Sequence, residues 1–316
     1  MRLNKVNLCW VMSEGRKGHE IQSMTLANSL AKTVNLYPFV LSQPWKALSP
    51  RVIPGFKKGL TFLNQQPNAN QPPQIIITTG RKAAAVGKFT TQKLRKEGKQ
   101  IKHIQILNPK DSHGNYDLLL IPEHDKVNGG NIVTYKGSLH PYSPQWFQAA
   151  RIKYSEYDLT VAVLLGNPST EYFNHNFKHD LDKIRAIYPH QALMICGSPR
   201  LSDEVQSKIK TLLKPNDHYW FNQHDGPNPY PQILIQAKHI FVTADSINMM
   251  NECAGSNSAL TLLATDFVPS NKHQRFINSL QHRWQGFANN EHTIKPSPYV
   301  VDNILNHTKL QNLISG

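Results

Sequence analysis

Cysteine is scarce in this 316-residue chain, with Cys9, Cys196 and Cys253 each set singly among apolar neighbours. That scatter excludes a disulfide framework and a paired-cysteine zinc site, and it leaves the three as core residues. No apolar run reaches the length of a membrane-spanning helix. The opening MRLNKVNLCW has neither the apolar core nor the cleavage site of a secretory signal, so a soluble, cytoplasmic protein is expected. Acidic residues are few, 21 against 35 Lys and Arg, for a formal net charge of +14. The imbalance favours anionic partners such as nucleotide phosphates, a phosphorylated acceptor or an anionic membrane leaflet. Nucleic acid ranks last, because the basic residues are spread along the chain and no helix-turn-helix, zinc-finger or aromatic RNA-binding signature accompanies them. A P-loop is absent too. Six residues rather than four separate Gly80 from Gly87-Lys88, and Phe89 stands where a magnesium-binding hydroxyl belongs. The one Asp-x-Asp, Asp180-Leu181-Asp182, falls in a predicted helix, where residues two apart point in different directions, so no metal site is expected.

What is present is a succession of strand, polar turn and helix. The length and a 39% hydrophobic content suit two domains with separate cores. Residues 238–263, KHIFVTADSINMMNECAGSNSALTLL, organise the second. A β-branched apolar run at 239–243 leads to Ser246 at a helix N-cap, and Ile247, Met249, Met250 and Cys253 carry helical spacing. The turn Ala244-Asp245-Ser246 then lies at a strand's carboxyl end and a helix's amino end, where backbone N–H groups and the helix dipole favour an anion such as a diphosphate. Glu252, about two turns into the helix, is placed to reach the ribose hydroxyls of a nucleotide held there. The same residues also read as a plain cap, a solvated glutamate and core methionines, and the stretch alone leaves both readings open.

In chain order, residues 6–12 form a buried first strand, the turn Ser13-Glu14-Gly15-Arg16-Lys17-Gly18-His19-Glu20 follows, and residues 21–34 have helical period. His19 and Glu20 thus stand at a helix start beyond a strand. His19 reads either as a general base or as one of fifteen histidines on a surface. Residues 35–40 are a second strand, and 43–73, rich in Pro, Asn, Gln and Lys, read as a basic helix-like piece ending in a loop or mobile insertion. The strand at 74–79 turns through Gly80-Arg81-Lys82, which suits an anion, into a helix at 83–97. Strands at 102–107 and 116–121 precede Pro122-Glu123-His124-Asp125, three titratable side chains that form an acid–base site or a polar loop edge. A short strand at 131–135 leads to Gly137-Ser138-Leu139-His140. The second half repeats the pattern: a strand at 158–165 ending in Gly166-Asn167-Pro168-Ser169-Thr170, a helix at 176–188, and a strand at 191–196 ending in Gly197-Ser198-Pro199-Arg200. A helix at 203–213, a strand at 218–221, Asn228-Pro229-Tyr230 opening a short helix, and helices at 272–284 and 298–314 complete it.

Two consecutive open α/β domains, with polar strand ends facing each other across a cleft, resemble the GT-B glycosyltransferase architecture. The motifs SEGRKGHEIQ, TGRKAAA, IQILNP, DLLLIPEHD, KGSLH, NPY and VTADSINMMNE, in this order over nearly the whole chain, resemble the family named after the plant elongated-mitochondria fission factor. Its plant member is associated with recruiting a dynamin-related protein to mitochondria, and its bacterial members are regarded as sugar-nucleotide-dependent enzymes. The resemblance implies two Rossmann-like domains, 1–150 for an acceptor and 151–316 for a nucleotide sugar, with the terminal helix free to pack back on the first. It also has departures: Gly166-Asn167 for a double glycine, Ser198-Pro199-Arg200 for a Ser-Arg-Arg-like turn, and Gly255-Ser256-Asn257 for Gly-Lys-Pro.

The expectation is a metal-independent, cofactor-free glycosyltransferase-like enzyme of envelope glycan synthesis, cytoplasmic or peripheral on the inner face of the membrane. Its acceptor would be an unidentified glycan or lipid-linked molecule. His19, or else Glu20 or Asp125, would take the acceptor proton. Gly166, Ser169, Thr170, Ser198, Arg200, Asn228, Tyr230, Thr243, Asp245, Ser246, Met249 and Glu252 would hold the donor. Gly15, Gly18, Gly80, Arg81, Lys82, Glu123, His124 and His140 would meet the acceptor or an anion. The alternatives are a non-catalytic adaptor of the same family and a nucleotide-sugar epimerase or hydrolase.

Overall fold

The structure, a computed structural model, describes residues 4–153, 159–287 and 295–315. The chain divides into two compact units, Met1–Pro141 with Val300–Gly316, and Tyr142–Tyr299.

The first unit contains β1 (Val6–Ser13), α1 (Lys17–Leu30), β2 (Ala31–Leu41), α2 (Trp45–Leu48), α3 (Phe56–Gly59), β3 (Leu60–Phe62), β4 (Ile75–Thr79), α4 (Arg81–Lys96), β5 (Lys102–Ile106), β6 (Leu118–Pro122) and β7 (Ile132–Tyr135). The second contains α5 (Pro144–Lys153), β8 (Val161–Leu165), α6 (Thr170–His175), α7 (Phe177–Ile187), β9 (Leu193–Gly197), α8 (Asp203–Thr211), β10 (His218–Trp220), α9 (Tyr230–Gln236), β11 (His239–Thr243), α10 (Ile247–Ala254), β12 (Ala259–Leu263) and α11 (Asn271–Ser279). The closing helices α12 (Val300–Leu305) and α13 (Thr308–Ser315) belong to the first unit, where Lys309 Nζ donates to the Gly129 and Ile132 carbonyls at 3.2 and 2.8 Å.

The first sheet runs β3-β2-β1-β4-β5-β6-β7 and the second β10-β9-β8-β11-β12; all pairings are parallel except β2 with β3. Strands β4, β6, β8 and β11 are buried along their whole length, as expected of parallel strands with helices on both faces, and this is why they appear in the sequence as unbroken apolar runs. In each sheet the order reverses between two neighbours, β1 and β4 in the first, β8 and β11 in the second. Loops leaving the carboxyl ends of strands diverge at such a point and open a crevice for ligands.

Three segments differ from the sequence expectation. Helix α1 begins at Lys17, so Gly18, His19 and Glu20 lie in its first turn rather than in the loop, and the β-branched pair Thr33-Val34 joins β2. Within residues 43–73 the basic helix-like piece is two short helices, α2 and α3, with Phe56 buried and Trp45 packed over Gly59, and residues 67–73 hold no helix or strand, but β3, which pairs antiparallel with β2 as the sheet edge, was not expected. Asp158, the expected first residue of a strand, lies outside the described residues, and β8 begins at Val161. Among the described residues no helix is long and apolar enough to cross a membrane.

Candidate functional site

At the switch point of the first sheet, the turn after β1 meets the turn after β4. Glu14 is the centre, its side chain only 7% exposed. Lys82 Nζ donates to its Oε2 at 2.7 Å, His19 Nδ1 lies 3.4 Å from Oε1, and Arg16 Nε is 3.7 Å away. Burial alone would raise this carboxyl, but the nearby His19 ring, the Lys82 bond and the charges of Lys82 and Arg16 outweigh it and hold the group down at about 2. The His19 contact is long for a hydrogen bond. Gly80, at φ +83°, is required twice over: the left-handed backbone suits glycine, and a Cβ there would stand 2.7 Å from His19 Cε1. Thus His19 and the turn that carries Gly80 and Lys82, far apart in sequence, come together as a cluster around Glu14.

The other residues expected near the acceptor are placed differently. Glu20 is tied into the loop, accepting from Ser13 Oγ at 2.9 Å and Lys17 Nζ at 3.3 Å, while Gly15 at φ +81° donates its N–H to Ser13 Oγ. Arg81 spends its guanidinium on the Ser49 carbonyl at 2.5 Å. Glu123, His124 and Asp125 form a single 3-10 turn beyond β6, with His124 Nε2 3.9 Å from Asp125 Oδ1. Three strand spacings separate β6 from β1, about 14 Å, so Asp125 is not beside His19. His140 is 3% exposed, and burial pushes its imidazole down to about 4, which disfavours the charged form.

In the second unit, β9, β8 and β11 are neighbours, so the turns at 166–170, 198–200 and 244–246 gather at one end of the sheet. The Asp245 carboxylate joins two of them. It accepts the Asn167 N–H at 2.7 Å and the Thr243 hydroxyl at 2.7 Å, and Thr243 Oγ1 accepts the Gly166 N–H at 2.8 Å. A Cβ on Gly166 would fall inside this carboxylate. Gly166, Thr243 and Asp245 therefore shape the crevice, and a phosphate would be repelled by Asp245 rather than bound to it. The groups left to meet an anion are the amino end of α10, the Ser246 hydroxyl that caps it by accepting the Met249 N–H at 3.4 Å, and exposed Arg200, whose Nε lies 3.3 Å from Ser198 Oγ. Ser169 caps α6, in which Thr170 is first, and Asn228 Oδ1 accepts the Tyr230 N–H at 2.9 Å.

Glu252 is half-buried rather than fully solvated. Tyr230 Oη donates to its Oε2, the ring of Tyr142 lies 6.2 Å from that of Tyr230, and Met249 is half-buried on the preceding turn. Burial raises the Glu252 carboxyl to about 7 against the opposing effect of the Tyr230 bond. Two motifs 22 residues apart thereby form one device: a carboxyl poised between its charged and neutral states, about two turns along the helix that starts at the anion-favouring turn.

Three participants escaped the sequence reading. Glu14 sat inside a quoted motif but only Lys82, 68 residues on, reveals its role. Tyr142 lies at the start of the second unit and bears on Glu252 through Tyr230. His273, early in α11, contacts the Asp245 backbone, with Ser270 Oγ 2.9 Å from its Nδ1; burial lowers its pKa against the effect of Asp245. One signal was available for it: β12 is the parallel neighbour of β11, so the segment after β12 emerges at the same end of the sheet. Asp180 and Asp182 have separate partners, the Tyr172 hydroxyl at 3.0 Å and Lys178 at 2.6 Å.

Among solved structures, the chain is similar to the UDP-GlcNAc 2-epimerase of Methanocaldococcus jannaschii, with TM-score 0.51 and 11% identity over 98% of this chain and 100% of the other. It is similar also to the catalytic domain of starch synthase IV of Arabidopsis thaliana bound to ADP and acarbose, with TM-score 0.51 and 9% identity over 99% of each chain. At such identity the likeness concerns the fold, two Rossmann-like α/β units of the GT-B kind. Among sequences, an uncharacterized protein of Rickettsia prowazekii is 27% identical over 86% of this chain and 87% of its own length. The mitochondrial fission protein ELM1 of Arabidopsis thaliana is 23% identical over 72% of this chain, which spans 59% of that protein. The family model described as mitochondrial fission ELM1 matches residues 17–300, and the chain belongs to that family.

Proposed function

We propose that the protein is a glycosyltransferase-like enzyme that uses a nucleotide-sugar donor without a metal ion, acting in envelope glycan synthesis at the cytoplasmic side of the membrane. The observation that carries this reading is the convergence, at the switch point of the second sheet, of the α10 amino terminus with the half-buried Glu252–Tyr230 pair. In this reading the donor diphosphate lies against the first N–H groups of α10, Ser246 and Arg200, and Glu252 takes the ribose hydroxyls. Asp245, with Gly166 and Thr243, keeps the crevice in shape. The acceptor belongs to the first unit, where His19 accepts the proton of an acceptor hydroxyl while Glu14 and Lys82 orient the ring and balance its charge. The acceptor oxygen forms a bond to the anomeric carbon, the bond from that carbon to the phosphate oxygen breaks, and the leaving nucleoside diphosphate keeps the electron pair. Helix-terminal N–H groups meet its developing charge.

The adaptor reading draws on the departures in sequence: the Asn167 N–H is already occupied by Asp245, and no lysine follows Gly255. Nucleotide binding separates the two. UDP, GDP and the other nucleoside diphosphates at millimolar concentration, without divalent ion, are expected to include one that raises the melting temperature. A panel that leaves the curve unmoved with and without magnesium removes the donor reading. Identification of the product from a bound nucleotide sugar distinguishes transfer from epimerisation or hydrolysis.

A further inference from the structure

A cavity of about 320 Å³ lies in the first unit between α4 and the β2–β3 edge, away from the turns at the strand ends. Its walls are Trp10, Leu60, Phe62, Phe89 and Leu94. Lys57 and Lys93 line it as well and are themselves exposed, which puts their ammonium groups at its rim. Lys93 has only a loose pairing with Glu97, at 4.0 Å. Inside, the Trp10 indole is 1% exposed and its Nε1–H finds no acceptor among the described residues. That donor is enclosed by protein, so the polar end of a ligand is left to the rim, where the two ammonium groups stand. The surroundings select the sign of that ligand. From Ile21 to Lys96 the chain contains no aspartate or glutamate but eleven lysines and arginines. Leu48 and Leu63, in the same edge segment, are 43% and 58% exposed.

We propose that this cavity binds a single-chain amphipathic anion, its apolar chain against Trp10, Leu60, Phe62 and Phe89, and its carboxylate or phosphate head at Lys57 and Lys93. The volume is at the lower end for small-molecule sites, about 300–1,000 Å³, which fits one chain of moderate length and not a two-tailed lipid. The site is separate from the proposed donor crevice and stands whether or not the protein turns over a nucleotide sugar.

The test is calorimetric titration of the full chain with dodecanoate and dodecyl phosphate, below their aggregation limits, beside uncharged 1-dodecanol and inorganic phosphate. Saturable one-to-one binding of both amphiphilic anions is expected, with the alcohol weaker by about tenfold or more and phosphate alone unbound. Lys57→Glu with Lys93→Glu, both at exposed positions, should weaken the anions about tenfold or more and leave the alcohol unchanged. Ala69→Trp, which fills the cavity from its half-buried edge, should abolish binding; unchanged far-ultraviolet circular dichroism verifies folding, and the charge-reversed variant supplies an independent measure. Four results overturn the proposal: no saturable binding to the parent chain, equal affinity for anion and alcohol, full binding by folded Ala69→Trp, or capture by anionic vesicles alone, which would make the segment a membrane-contacting surface.

Discussion

Replacing Glu252 by glutamine keeps a carbonyl oxygen for the Tyr230 hydroxyl and removes only the charge, so it isolates the cost of ionising a carboxyl at this place. The folded-state value of about 7 against an ordinary 4.5 is a difference of 2.5, and at about 1.36 kcal/mol per unit the ionised group costs the fold at most about 3 kcal/mol. The sign follows from linkage. The carboxyl holds its proton more tightly folded than unfolded, so stability falls as pH rises from 4.5 through 7, and the full penalty is present only above that range. The amide of the variant never ionises. The two proteins should therefore unfold alike near pH 5 and diverge up to pH 8.5, with the Glu252→Gln variant the more stable by up to about 3 kcal/mol. For a unit of this size that is roughly 6–12 °C in melting temperature, reduced in proportion to the water that reaches a half-buried group. Urea unfolding followed by circular dichroism at half-unit steps from pH 5 to 8.5 measures the difference directly, and titrations elsewhere in the chain cancel in it. A difference that stays flat across this range, or one in which the parent protein gains on the variant as pH rises, refutes the assignment of a desolvated, poised carboxyl.

Three more outcomes follow from the two clusters. Glu252→Ala should weaken binding of the best-stabilising nucleotide by about 1.5–3 kcal/mol, while His19→Ala leaves that affinity unchanged and lowers turnover about a hundredfold; calorimetry beside a donor-consumption assay reads both, and the opposite pattern shows the units' roles reversed. Glu14, held at about 2, contributes stability above its ordinary 4.5 that is lost as pH falls through 2, so Glu14→Gln should cost up to about 3 kcal/mol at pH 7 and progressively less below pH 4.5 in urea unfolding. Gly166→Ala should destabilise by about 1–3 kcal/mol through overlap with the Asp245 carboxylate, and in a double-mutant cycle Asp245→Ala should relieve much of that loss; simple additivity would show that the two do not meet.

The strands were legible because burial on both faces writes them as unbroken β-branched runs, and the polar turns because each follows such a run. Ile76, Val163 and Val242 are fully buried, which is the condition that makes the run continuous. Within residues 43–73 the helix-like piece and the loop were legible but β3 was not, since Phe56 and the β3 edge are fastened by contacts with Phe89 and Phe39, and no local period records a partner distant in sequence. The same limit applies to the site. Turn composition located Gly80, His19 and Ser246, yet which turns meet depends on strand order, and strand order is a tertiary property. Asp245 shows the consequence: its place in a polar turn suggests an anion-binding residue, and only the Asn167 N–H and Thr243 hydroxyl reveal a carboxylate used as a tie.

The contrast between the two kinds of carboxylate bears on enzyme against adaptor. Glu14 and Asp245 are surrounded by donors and cations, and such groups are explained by the loops they hold in place. Glu252 is the opposite case. Its hydrogen bond from Tyr230 does not offset the desolvation of its charged form. For a scaffold that only presents a surface, this group supplies an acceptor for the Tyr230 hydroxyl, which its neutral form or a glutamine supplies as well. A ligand whose hydroxyl groups donate to the carboxylate would stabilise the charged form and pull its pKa back down, recovering on binding what the fold gives up. Nucleotide binding should then release the proton of Glu252 near neutral pH, so the measured binding enthalpy should depend on the ionisation enthalpy of the buffer in the parent protein and lose that dependence in Glu252→Gln. Binding with the same enthalpy in phosphate and in Tris at pH 7 would leave the carboxyl without a ligand to explain it.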